Sequence, residues 1–138
     1  MYDIIIKGGR LFSKSDGLNV IGDLAVHNGK IAAIGGTIEG GPNTVIIDAK
    51  NCYVSPGFID LHIHGYAYNT DYGTFPDKVG VSTGVTTVVD QGSSGALTFP
   101  GFKHYMVDSS MTRVLSFINI GAVGTIKGSM LPPLHGPQ

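Results

Sequence analysis

A single cysteine, Cys52, occurs in the chain, so no intrachain disulfide can form and a reducing compartment is the simpler expectation. It stands between Asn51 and the apolar pair Tyr53 and Val54, where filling space is its expected role. Long apolar runs are missing as well: nothing approaches the roughly 20 residues that span a bilayer. The N-terminal run Ile4-Ile5-Ile6 is short and follows Asp3, an acid where a signal peptide carries a base. A cytoplasmic protein without a membrane partner is therefore expected. Charge is scarce, at 14% of residues, and balanced, with nine basic against ten acidic side chains and a formal net charge of -1. That excludes a basic face for nucleic acid and an acidic tail, and leaves a small molecule as the expected partner.

Glycine, by contrast, is abundant: 21 of 138 residues. The glycines punctuate short apolar runs without a fixed period, the pattern of many tight connections between strands. With 42% hydrophobic residues the chain has enough apolar side chains to build a core.

Residues 1–55 read as β-structure. Ile4 to Lys7 and Arg10 to Phe12 flank Gly8-Gly9, and a polar turn follows from Ser13 to Gly17. Asp23 to His27 and Lys30 to Ile34 flank Asn28-Gly29, a dipeptide that accepts the positive φ angles of a two-residue hairpin turn. Thr44 to Asp48 and Cys52 to Val54 complete what is expected to be a small antiparallel β-structure. Ser55-Pro56-Gly57 marks a junction, because proline removes a ladder donor.

From residue 56 to 138 the order becomes strand, loop, helix, strand. Phe58 to His64, Val85 to Asp90 and Arg113 to Ile120 read as strands, with helices over Pro76 to Thr83, closed by Gly84, and Pro100 to Val107. Such alternation predicts parallel βα units, hence an α/β class with an N-terminal β portion. The stretch from Gly121 to Gln138 has no periodicity and is expected to be loop.

Chemistry concentrates in Phe58-Ile59-Asp60-Leu61-His62-Ile63-His64. Strand side chains alternate between faces, so Asp60, His62 and His64 are expected on one side and Ile59, Leu61 and Ile63 on the other, packed under helices. A carboxylate and two imidazoles are costly to bury unless something binds them, and a divalent metal is the economical answer. Histidines at i and i+2 of a strand project in parallel and can share one ion, a task that on a helix needs i and i+4. Imidazole suits zinc, iron, nickel or manganese, so the residues do not choose among them. The place of the pair, before Gly65 at the C-terminal end of a strand, is where parallel αβ barrels build their sites.

Other residues carry weaker signals. Asp90 ends the second strand and either faces the site or caps a helix or hydrogen-bonds a loop; Asn119 either touches substrate or forms a turn. Tyr66, Tyr68, Asn69, Asp71 and Tyr72, in the loop from Gly65 to Phe75, are candidates for a pocket lining. His27, in a hairpin, and His104, in a helix, are expected at the surface; His135 receives no role.

The run Tyr53-Val54-Ser55-Pro56-Gly57-Phe58-Ile59-Asp60-Leu61-His62-Ile63-His64 resembles the entry signature of the amidohydrolase superfamily, the cyclic amidohydrolases and deacetylases in particular. Gly84 to Asp90 resembles that group's second barrel strand, and Asp3 to Gly9 with His27 to Ile31 its N-terminal β-sandwich. Thr70 to Gly73 and Gly92 to Phe102 resemble the dihydroorotase-like and deacetylase-like branch. The resemblance implies residues 1–55 as part of a composite β-sandwich and residues 56–138 as the first about three βα units of a truncated TIM (β/α)8 barrel. It implies a metal-dependent hydrolase of cyclic amide or related C–N or ester bonds. His62 and His64 would hold a divalent metal, zinc foremost, with one or two ions in the complete protein, which could be a homo-oligomer.

In the family, a lysine on the fourth strand, histidines on the fifth and sixth and an aspartate on the eighth complete the machinery. None of these is expected within 138 residues, and Lys127 lies too early to bridge metals. A full barrel takes roughly 250 residues, and three isolated strands leave bare edges. The chain is therefore expected to be a fragment of a longer reading frame without turnover of its own. The rival expectation is a non-catalytic truncated product that at most binds metal or associates with another subunit.

Overall fold

A computed structural model describes residues 1–125; the expected loop beyond them, with Lys127 and His135, lies outside the described residues. The chain forms two compact units, Met1–Pro56 and Gly57–Gln138.

The first unit is a five-stranded sheet built around β1 (Ile4–Ser13). β1 pairs antiparallel with β2 (Leu18–His27), which pairs antiparallel with β3 (Lys30–Ile34). Asn28 and Gly29, at φ of 51° and 69°, make the β2–β3 turn, as their left-handed tolerance predicts. Gly8 and Gly9 do not end a strand: the register slips between Ile6 and Gly9, and β1 continues through a bulge.

On the other side of β1 the expectation of an antiparallel structure fails. Both β4 (Val45–Asp48) and β5 (Tyr53–Val54) run parallel to β1. The chain between β3 and β4 crosses to the far edge of β1 before pairing, so β4 enters from the same end as β1. Ile5, Ala25 and Ile38 form the core cluster, with Tyr2 and Ala33 packed against it. Asp23 is buried beside them, its carboxylate accepting the Gly8 and Ile38 N–H groups at 2.9 Å each. Those two bonds, Ile38 foremost, hold its pKa below the ordinary carboxylate range. Cys52 does not fill space: it is exposed, beside strand β5, which is only two residues long and offers no layer to bury it.

The second unit is a three-stranded parallel sheet in the order β6 (Phe58–Ile63), β7 (Val85–Gly95), β8 (Arg113–Asn119). Its connections are helical but short: α1 (Pro76–Val79), then a 3-10 turn, and α2 (Phe99–Phe102), continued by a wider helical turn to Val107. Gly84, at φ 85°, closes the first connection and donates its N–H to the Val81 carbonyl. Asp77 accepts the Met111 and Thr112 N–H groups at 3.1 and 2.8 Å, tying the start of α1 to the approach to β8. Two four-residue helices cannot cover the whole sheet. Ile63 is buried, but Ile59 and Leu61 are 61% and 68% exposed, against the expectation that all three pack under helices.

β7 also runs past Asp90 to Gly95. The extension, Gln91-Gly92-Ser93-Ser94-Gly95, has no apolar alternation to announce it, and Gly92, at φ 79°, lets the strand bend as its register with β8 slips.

Candidate metal centre

His62 lies in β6, and His64 stands one residue beyond its last residue, Ile63. Their ring centroids lie 5.6 Å apart at an interplanar angle of 70°. An ion–nitrogen bond of about 2.0–2.1 Å puts a ligating ring's centroid about 3.2 Å from the ion, so two rings sharing one ion lie no more than about 6.4 Å apart. The observed separation falls within that limit, and the donor set fits a divalent ion of borderline softness.

Asp60 is not in the group. The β6–β7 register slips between Asp60 and Ile63, so the strict alternation that would align Asp60 with the histidines is broken. Its carboxylate turns onto the strand itself and accepts the His62 N–H at 3.0 Å. Among the described residues no group of three or more His, Cys, Asp or Glu side chains could hold a metal. The candidate site among the described residues is therefore a pair of imidazoles.

His64 is the more firmly held of the two. Its Nδ1 lies 2.9 Å from Ser93 Oγ, and the Tyr72 ring meets it edge-on at 4.9 Å. Ser93, 1% exposed, sits in the extension of β7. Asp90 fixes it there. One Asp90 oxygen accepts the Ser93 N–H and the other accepts the Gly65 N–H, both at 2.7 Å. A fully buried carboxylate thus pins the residue after His64 and the residue that touches its ring. Of the two roles expected for Asp90, loop bonding is the one observed.

The other candidates separate. Asn69 donates from Nδ2 to the Ser93 and Thr125 carbonyls at 3.1 and 3.0 Å, bracing the same segment. Tyr66 packs on Phe102, while Tyr68, at φ 66° and 89% exposed, meets Phe75. Asp71 is exposed. Only Tyr72 of this loop's candidates stacks on a site histidine. Asn119 is a turn-forming amide, donating to the Gly92 carbonyl and accepting the Gly121 N–H. His27 pairs with Asp3 on the surface and His104 lies edge-on to Tyr105. Ser93 was not singled out by sequence reasoning; a serine pair three residues beyond an aspartate at a strand's C-terminal end was the available signal.

No family model matches the chain. It is 40% identical over 108 residues to a deacetylase of Agrobacterium fabrum, covering 78% of this chain and 26% of that protein. It is 35% identical over 137 residues to a deacetylase of Enterococcus faecalis, covering 99% of this chain and 36% of the relative. A crystal structure of a dihydroorotase superposes with a TM-score of 0.78 and 32% identity, over 89% of this chain and 32% of the other. The chain spans between a quarter and two fifths of the length of these relatives. Likeness to deacetylases in sequence and to a dihydroorotase in both sequence and fold leads to one assignment: the chain belongs to the amidohydrolase superfamily.

Proposed function

We propose that this chain carries the first metal-binding pair, His62 and His64, of a metal-dependent hydrolase acting on cyclic amide or related C–N or ester bonds of a small molecule. The observation that carries the reading is the convergence of two imidazoles, 5.6 Å apart, at the C-terminal end of a parallel strand. Zinc is the ion expected. When bound, a divalent ion supplies a Lewis acid that polarises a carbonyl and activates water. His62 and His64 hold it, and the edge of Tyr72 limits rotation of the His64 ring.

In this reading the second unit is the opening of a (β/α)8 barrel and the first is part of a composite β-sandwich. The names of the relatives, deacetylase and dihydroorotase, support cleavage of an acyl or amide bond without selecting a substrate. Two ligands do not complete a catalytic site, so the 138-residue chain is expected to bind metal weakly and to show no turnover.

Elemental analysis and zinc titration of the chain and of His62→Ala and His64→Ala test the reading. Both variants are expected to lose bound metal. Metal content unchanged in both would overturn the ligand assignment, and hydrolysis by the pure chain would overturn the inactivity.

A further inference from the structure

The geometry points to Ser93 as the positioning residue that selects Nε2 of His64 as the metal-ligating nitrogen, with Asp90 holding Ser93 in place. This rests on the reading of His62 and His64 as ligands.

A neutral imidazole has one protonated and one lone-pair nitrogen, and a metal takes the lone pair. Ser93 Oγ stands 2.9 Å from Nδ1, which makes that nitrogen the hydrogen-bonded end of the ring and leaves Nε2 to ligate. Ligation at Nε2 puts the ring proton on Nδ1, and the serine oxygen is the acceptor waiting for it. Partners of this kind fix tautomer and ring orientation, and their loss typically costs 10–100-fold in metal affinity.

Hydrogen bonds on both sides hold the Ser93 backbone in place. Its N–H is taken by Asp90 Oδ1, and its carbonyl accepts from Asn69 Nδ2 and the Thr125 N–H. Asp90 Oδ2 meanwhile holds the N–H of Gly65, the residue following His64. One carboxylate therefore sets both sides of the His64–Ser93 bond. His62 has a different environment: its backbone N–H is held by Asp60, with no such link to Ser93 among the described hydrogen bonds. The two histidines should therefore respond unequally to Ser93.

The test is zinc titration of the full 138-residue chain, labelled with 15N-histidine and followed by long-range 1H–15N correlation, with His64→Gln used to assign the His64 ring signals. The expected result is zinc at Nε2 of His64 with the proton on Nδ1, an affinity at least tenfold weaker in Ser93→Ala, and recovery in Ser93→Thr, which keeps the hydroxyl. Zinc at Nδ1 of His64 in the wild-type chain would overturn the inference, whether or not any variant folds. So would Ser93→Ala, folded by its amide spectrum, with wild-type affinity. Either result leaves the ligand pair standing. If instead His62→Ala and His64→Ala both bind as the wild type does, the ligand reading fails and this inference falls with it.

Discussion

Replacing Asp90 with alanine tests whether one buried carboxylate organises the end of the parallel sheet. Asp90 is 0% exposed and accepts two backbone N–H groups at 2.7 Å, one from Gly65 and one from Ser93. Alanine removes both acceptors and strands both donors in the interior. A hydrogen bond to a charged group contributes roughly 1.5–3 kcal/mol, and an orphaned buried donor costs about 1–3 kcal/mol, so the two bonds together set a loss of about 3–6 kcal/mol. Asp90→Asn keeps one carbonyl acceptor and is expected to lose about half as much. Urea unfolding of the metal-free chain at neutral pH measures both values, and hydrogen exchange at the Gly65 and Ser93 amides localises the effect. A change within about 0.5 kcal/mol in Asp90→Ala, the range of an ordinary surface substitution, would refute the reasoning.

Two further outcomes follow from the same physical picture. The Asp77 pKa lies below its ordinary value because the Thr112 hydroxyl, then the Thr112 and Met111 N–H groups, hydrogen-bond its charged form against the cost of desolvation. A lowered folded-state pKa contributes stability in full above the unfolded carboxylate value, about 3.9, and loses it as pH falls through the folded value. Acid titration of unfolding should therefore show a shallower fall below about pH 4 in Asp77→Asn than in the wild type, and parallel curves would count against this role. Gly124, at φ 77°, would place an added Cβ 2.3 Å from the Ser93 carbonyl oxygen, whereas Gly29, at φ 69°, meets nothing within 4 Å. Gly29→Ala should cost about 1–2 kcal/mol for the left-handed backbone alone, and Gly124→Ala distinctly more; equal losses on thermal unfolding would show that no close approach exists there.

Local chemistry made several features legible from the residues alone. Asn28-Gly29 names its own hairpin because only such residues accept two successive positive φ angles cheaply, and both are found there. Gly84 closes a helical connection for the same reason. His62 and His64, two positions apart in one extended run, have ring centroids 5.6 Å apart, a closeness that their spacing in the sequence already suggested.

What depends on partners was not legible. The direction of β4 and β5 rests on the path of the preceding chain, which carries no periodic signal, and both strands came out parallel to β1. Asp60 fits the same alternation as the histidines, yet a one-residue slip against β7 separates it from them; a bulge belongs to a pair of strands and cannot be read from either one. The fate of Cys52 and of the Ile59–Leu61 face turned on whether enough helix or sheet existed to cover them, and in these two units it does not.

Sequence alone determined which turns the backbone can make and that two imidazoles stand two positions apart in one extended run, because sterics and backbone preference act over a few neighbouring residues. Only the tertiary structure decided which nitrogen of His64 is engaged, because Ser93 reaches it across 29 positions of chain through a strand extension held by Asp90. Contacts between distant segments are fixed by how strands register against one another, and that information resides in the assembled sheet.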